Sequence, residues 1–146
     1  MTDRWTATAV AIGHQILTRC EEEGDGLWWP RSVPRGAEGI VEKRTPALWG
    51  GASGIALFLL ELYGVTGDRT MLDAARRALR WCVREAPAVP RERRAGFMNG
   101  GLGVAYVLCR AYDLTGEEMF LAQARTLALE LVAGQARWPI CDLLSG

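Results

Sequence analysis

Two stretches of the chain carry the same alternation of apolar and polar positions, offset by 49 residues. Residues 51–76 read GASGIALFLLELYGVTGDRTMLDAAR and residues 100–125 read GGLGVAYVLCRAYDLTGEEMFLAQAR, with 10 of the 26 aligned positions identical. Each copy opens on a glycine cluster. An apolar segment of about three turns follows, residues 55–63 or 104–112, apolar nearly all round and therefore predicted to be a helix buried on every side. A turn comes next, Gly64-Val-Thr-Gly67 or Asp113-Leu-Thr-Gly116, with Asp68 or Glu117 placed to favour the start of a second helix. In the second helix of the first copy Leu72, Ala75, Leu79, Cys82 and Val83 fall at helical spacing, and Arg69, Arg76, Arg77, Arg80 and Arg84 take the other side as a solvated face. Pro87 and Pro90 end it. The second copy, residues 119–132, is more apolar but keeps Gln123, Arg125 and Glu130 for a wet face. The pattern predicts two helical hairpins, 51–86 and 100–134, each pairing a buried helix with a half-exposed one. Such units cannot bury their apolar faces alone and stack on one another.

A further helix is expected over residues 3–22, with Trp5, Ala9, Ile12, Ile16, Leu17 and Cys20 on one side. Residues 23–49 read as a loop rich in Gly and Pro, with at most a short strand at Ile40–Val41; a connection this long in a compact domain is often functional. The linkers 86–98 and 134–144 also precede an inner-helix entrance, so all three long linkers fall on one rim. The string Asp142-Leu-Leu-Ser-Gly146 looks like the start of a third repeat, 142–146. The fold class is all-α, repeated helical hairpins in a single domain spanning 1–146.

Composition narrows the partners. Seventeen basic and seventeen acidic residues cancel, leaving no basic field to grip nucleic acid or an anionic membrane. The N-terminus lacks the basic and apolar regions of a signal peptide, and no apolar run is long enough to span a bilayer. Cys20, Cys82, Cys109 and Cys141 are widely spaced, without CxxC, which suits reduced thiols and a cytoplasmic protein.

These residues resemble the lanthionine synthetase C-like (LanC-like) family. The likeness rests on Gly51-Ala-Ser-Gly54 and Gly100-Gly-Leu-Gly103, each followed by an apolar helix, on the intervening TGD and TGE turns, on Trp29-Pro30, and on Asp142-Leu-Leu-Ser-Gly146. It covers almost the whole chain but only about the N-terminal half of the family's domain. The resemblance implies part of an α/α toroid (α/α barrel), two concentric rings of helices, here incomplete. It also implies peptide maturation, in which a cysteine thiol of a precursor peptide adds to a dehydroalanine or dehydrobutyrine to close a thioether ring. Family cyclases activate the thiol on zinc held by two Cys and one His, which is reasonable because a metal-bound thiol is deprotonated at neutral pH. The family's Trp-Cys and Cys-His ligand motifs lie in its C-terminal half and do not appear before Gly146. Zinc binding is therefore not carried over, no metal ligand is expected among these residues, and the chain is expected to be a truncated form inactive alone. Asp142 matches an aspartate assigned to proton transfer in the family and is the catalytic candidate.

Other residues carry sharper and blander readings. Trp28, Trp29, Trp49, Asn99 and Trp138, with Phe97, lie in or beside the rim linkers and are candidates to bind a peptide or sugar; plugging the top of the core is the alternative. The glycine clusters lack the GK[ST] of a phosphate loop and the preceding strand of a dinucleotide site, so they are read as tight helix entries. His14 and Cys20, six residues apart, do not share a helical face. Trp81-Cys82 lies mid-helix without flanking glycines, and Ser53 and Ser145 read as helix-entry caps. A precursor peptide is the expected partner, together with self-association or docking of a complementary C-terminal half. Two other classes remain: a non-catalytic helical-repeat scaffold that binds a peptide, and a different α/α-toroid enzyme acting on carbohydrate, which would need paired carboxylates on the rim.

Overall fold

The computed structural model describes residues 3–34 and 40–133. Five helices dominate: α1 (Arg4–Leu17), α2 (Ala52–Thr66), α3 (Arg69–Glu85), α4 (Gly101–Thr115) and α5 (Glu118–Val132). Two antiparallel pairs stand between α1 and α2, β1 (Glu21–Glu23) with β2 (Gly26–Trp28) and β3 (Arg31–Pro34) with β4 (Ile40–Lys43). The stretch expected to be a loop is thus largely two small hairpins, in registers Glu21↔Trp28 and Arg31↔Lys43.

The helical hairpins form as the repeat predicts. Both α2 and α4 end on a left-handed glycine, Gly67 and Gly116, each at φ 71°. The glycine N–H bonds back to the Tyr63 or Tyr112 carbonyl, closing the helix end. Asp68 then caps α3 by accepting from the Thr70 N–H at 2.8 Å. Glu117 occupies the same place before α5 without capping it; its carboxylate instead pairs with Arg76 of the first hairpin.

In α3 and α5 the same face is buried, Met71, Ala75, Ala78 and Cys82 matching Phe120, Ala124, Leu127 and Leu131. These pack on α2 and α4, whose Ala56, Leu59, Leu60, Val104, Val107 and Leu108 are fully enclosed. Each such leucine withdrawn from water contributes about 1.5–3 kcal/mol. Helices α2 and α4 also pack on each other as an inner layer. That layer keeps an open side, because no described element covers Tyr106 and Cys109, which are exposed. The expectation of inner helices buried all round holds for one side only.

Three further expectations are corrected. Helix α1 stops at Leu17, short of residue 22, and its contact face is centred on Gly13. A methyl group there would meet Leu62 at 2.7 Å, so close approach to α2 selects glycine, and Trp5 (77 % exposed) and Ile12 are left outside. Ser53 does not cap α2: Gly51 is the N-cap, and Ser53 lies buried inside the first turn with its hydroxyl unpartnered. The arginine side of α3 is not simply solvated. Arg77 pairs with Glu22 at 3.1 Å, Arg80 with Asp25 at 2.8 Å and Arg84 with Glu23 at 3.6 Å, so the acidic β1–β2 hairpin lies along it. Trp81, fully buried in α3, donates its indole N–H to Glu23 at 2.7 Å and stacks on Trp28 at 6.0 Å.

Candidate functional site at the inner-helix rim

The segments that lead into α2 and α4 repeat in backbone structure although little in sequence. The Ala52 N–H donates to the Thr45 carbonyl at 3.0 Å, and 49 residues later the Gly101 N–H donates to the Arg94 carbonyl at 2.8 Å. Gly54 rests on the Leu48 carbonyl oxygen, and Gly103 on the Phe97 carbonyl oxygen, so closely that neither position admits a Cβ. The glycine clusters are therefore close-approach positions, where the entering segment folds down onto the first helical turn. Between the copies the Trp49 N–H donates to the Met98 carbonyl at 2.8 Å, joining equivalent positions of neighbouring units. Two of the rim linkers are thus tied together at the inner-helix entrances; the third, 134–144, lies outside the described residues.

Two hollows open on this rim. The first, about 350 Å³, is lined by Arg31, Arg44, Thr45, Trp49, Glu85, Arg93 and Asn99, among others. The second, about 600 Å³, is mostly apolar, with Trp29, Pro30, Leu48, Ile55 and Phe58 around the bare backbone of Gly50, Gly51 and Gly54. They share Arg31 and adjoin at Trp49–Gly50.

Of the residues singled out in the sequence, the structure brings Trp49 and Asn99 into the first hollow and places Trp29 in the second. Trp49 is 61 % exposed. Trp29 also donates its indole N–H to the Ile16 carbonyl at 2.9 Å, anchoring the segment to α1. Trp28 is elsewhere, stacked on Trp81 on the outer side under the Arg44 guanidinium, 4.6 Å above its ring. Phe97 meets the Tyr106 ring edge-on at 5.3 Å. Trp138, Asp142 and the third-repeat start 142–146 lie outside the described residues. Sequence reasoning missed Arg31 and Arg93: the first was lost in a presumed loop, and the second sits in a charged run that reads as surface.

The charged groups nearby divide into committed and free. Glu23 takes the Trp81 indole and the Arg44 and Arg84 guanidiniums, and the Trp81 hydrogen bond, ahead of Arg44, holds its carboxyl below the usual range. Glu61 and Arg110, again 49 residues apart, form a bidentate pair at 2.6 and 3.0 Å between α2 and α4; that hydrogen bonding lowers the Glu61 carboxyl and raises Arg110. Among the described residues, Glu85 is the one carboxylate lining either hollow.

The described residues do not fit a zinc site. His14, the chain's one histidine, is exposed on α1 with Asp68 at 4.0 Å. Cys82 is sealed in the core, where desolvation pushes its thiol far up and away from the thiolate a metal needs. Cys109 is exposed on α4 and Cys20 is half-buried after α1. Among the described residues no three His, Cys, Asp or Glu side chains come together to hold a metal.

Hairpins in register, joined at their helix entrances and bearing hollows there, define a helical-repeat protein of the α/α-toroid class, of which the described residues form an arc. Residues 43–146 match the family model described as lanthionine synthetase C-like protein, and the chain belongs to that family. No curated protein matches the chain. Among the described residues no helix is long and apolar enough to cross a membrane.

Proposed function

We propose that this protein serves thioether-forming peptide maturation by holding a precursor peptide along the inner-helix rim. The observation that carries this reading is the pair of adjoining hollows at the joined entrances of α2 and α4, one polar and one apolar, within a LanC-like chain. Hollows of this volume suit side chains, and a peptide crossing from one to the other would leave its reacting residues over the inner layer. In ring closure a thiolate sulfur attacks the β-carbon of a dehydroalanine or dehydrobutyrine, the C=C pair moves to the α-carbon, and a proton completes it. Asp142 is the candidate to take the thiol proton and return it to the α-carbon, since the sequence pattern predicts it at a helix entrance, where the ionised, proton-accepting form is favoured. Residues 1–146 alone are not expected to close rings, because their one histidine stands apart from the described cysteines. Zinc is therefore assigned no step here.

Thioether formation conserves mass, so the test counts free thiols. A dehydrated, cysteine-bearing peptide should bind residues 1–146 and keep every thiol open to alkylation with zinc present. Zinc-dependent thiol loss would overturn the expectation of inactivity, and absence of peptide binding would overturn the reading itself. Carbohydrate hydrolysis fits less well, since among the described residues the hollows bring a single carboxylate, Glu85, where that chemistry uses two.

A further inference from the structure

The first hollow contains a local surplus of positive charge. Among the described residues three guanidiniums, from Arg31, Arg44 and Arg93, line it against the single carboxylate of Glu85. Arg44 is committed, pairing with Glu23 while lying over the Trp28 ring. Arg31 and Arg93 make no ion pair with any described residue, in contrast to Arg76, Arg77, Arg80 and Arg84 of α3, each of which has an acidic partner.

Arg31 is placed without being neutralised. Its guanidinium lies against the bare Cα of Gly50, where a methyl group would fall 2.6 Å from Nη1 and 2.9 Å from Cζ. Gly50 has φ 65°, a conformation that favours glycine. The missing side chain of Gly50 thus leaves room for the exposed Arg31 fork, whose donors face an incoming anion. Beside it stand an exposed indole, Trp49, and the half-buried Asn99 amide, which can both donate and accept. Past Arg31 the surface turns apolar in the second hollow. A small anion would use only the first of these features, whereas an extended chain with a carboxylate followed by an apolar side chain uses all of them.

We propose that the Arg31–Arg93 hollow docks an acidic segment of a peptide, pairing its carboxylates with the two guanidiniums while the next apolar side chain enters the neighbouring hollow. Guanidinium–carboxylate forks are short, directional and about twice as strong as neutral hydrogen bonds, so acidic residues would set the register of the bound chain. This deepens the peptide-maturation reading and rests on it only for the peptide's being a substrate.

The test needs no turnover. Fluorescence anisotropy with the full chain would compare a labelled peptide alternating Glu and Leu with its Gln–Leu counterpart, with inorganic phosphate as competitor. The acidic peptide should bind about tenfold tighter or better, the preference shrinking as salt rises. Arg31→Gln and Arg93→Gln should each remove most of the preference, and Arg31→Lys should keep part of it. Arg125→Gln, which removes the same charge from an exposed position on α5, should leave it unchanged. Circular dichroism checks that each variant is folded, and because the two arginines lie on different segments, either one reports if the other fails to fold. Equal binding of the two peptides, or an equal loss in Arg125→Gln, would overturn the proposal. So would displacement by phosphate at concentrations matching the peptide's, which would make the hollow a simple anion site. Acid-selective binding of the Glu–Leu peptide without any binding of a dehydrated, cysteine-bearing peptide would leave this proposal standing while the maturation reading fell.

Discussion

Replacing Gly103 by alanine would drive a methyl group onto the Phe97 carbonyl oxygen, a backbone atom that cannot rotate away. The expected cost is about 3 kcal/mol, the upper end for a forced insertion. Gly67→Ala meets open space and suffers only the left-handed backbone conformation, about 1 kcal/mol. Urea unfolding of the two variants should therefore rank them in that order; equal losses would mean that entry packing does not decide the fold. Leu59→Ala, at a fully buried inner-helix position, should lose about 2–5 kcal/mol in the same measurement. At this scale the sequence identified the glycines as tight entries but not the atoms they press on, since Leu48 and Phe97 contribute a backbone oxygen that no side-chain pattern reports.

Between elements, charge is arranged by repeat number. Glu61 of α2 meets Arg110 of α4 at the equivalent position of the next unit, and Arg76 of α3 reaches the Glu117 turn of the second hairpin. The Glu61 and Glu23 carboxyls both titrate below their ordinary value of 4.5. A carboxyl with a depressed folded pKa stabilises the protein above its unfolded pKa, and that contribution is lost as pH falls through the folded value. The urea midpoint should accordingly fall as pH drops from about 6 to about 3, with a shallower fall in Glu61→Gln. A wild-type profile no steeper than that of Glu61→Gln would show that the pair contributes nothing. The helices were legible because their apolar period and turn glycines agree. The β1–β2 hairpin was not, because Glu21–Glu23 has no apolar alternation, so that residues 21 and 22 read as the end of the first helix and residue 23 as the start of a loop. Its fold is decided by tertiary contact: Glu22, Glu23 and Asp25 pair or hydrogen-bond with side chains of α3, and Gly24-Asp25 supplies the two-residue turn. One sequence clue existed, since Trp81 stands where the second repeat has Glu130, marking an outer helix with a covered second side.

For the whole molecule, the 49-residue offset reaches further than the sequence identities suggest. It governs the linkers as well as the helices, down to the Trp49–Met98 hydrogen bond between equivalent backbone positions. The family was legible from the glycine entries and TG turns, and the family match over 43–146 agrees with it. The site was half legible: Trp49, Asn99 and Trp29 were marked as rim aromatics and amide, whereas Arg31 and Arg93 gain meaning only when folding turns them to one hollow. Trp28 shows the reverse, an aromatic marked for binding that is stacked on the outer helix. The proposed peptide would lie along the joined entrances of α2 and α4. Amide hydrogen exchange with and without a dehydrated precursor peptide tests it most directly. Added protection is expected in residues 44–51 and 93–101, including the Trp49 amide, with α5 unchanged. Protection confined to the outer helices α3 and α5, with the rim segments unaffected, would contradict it.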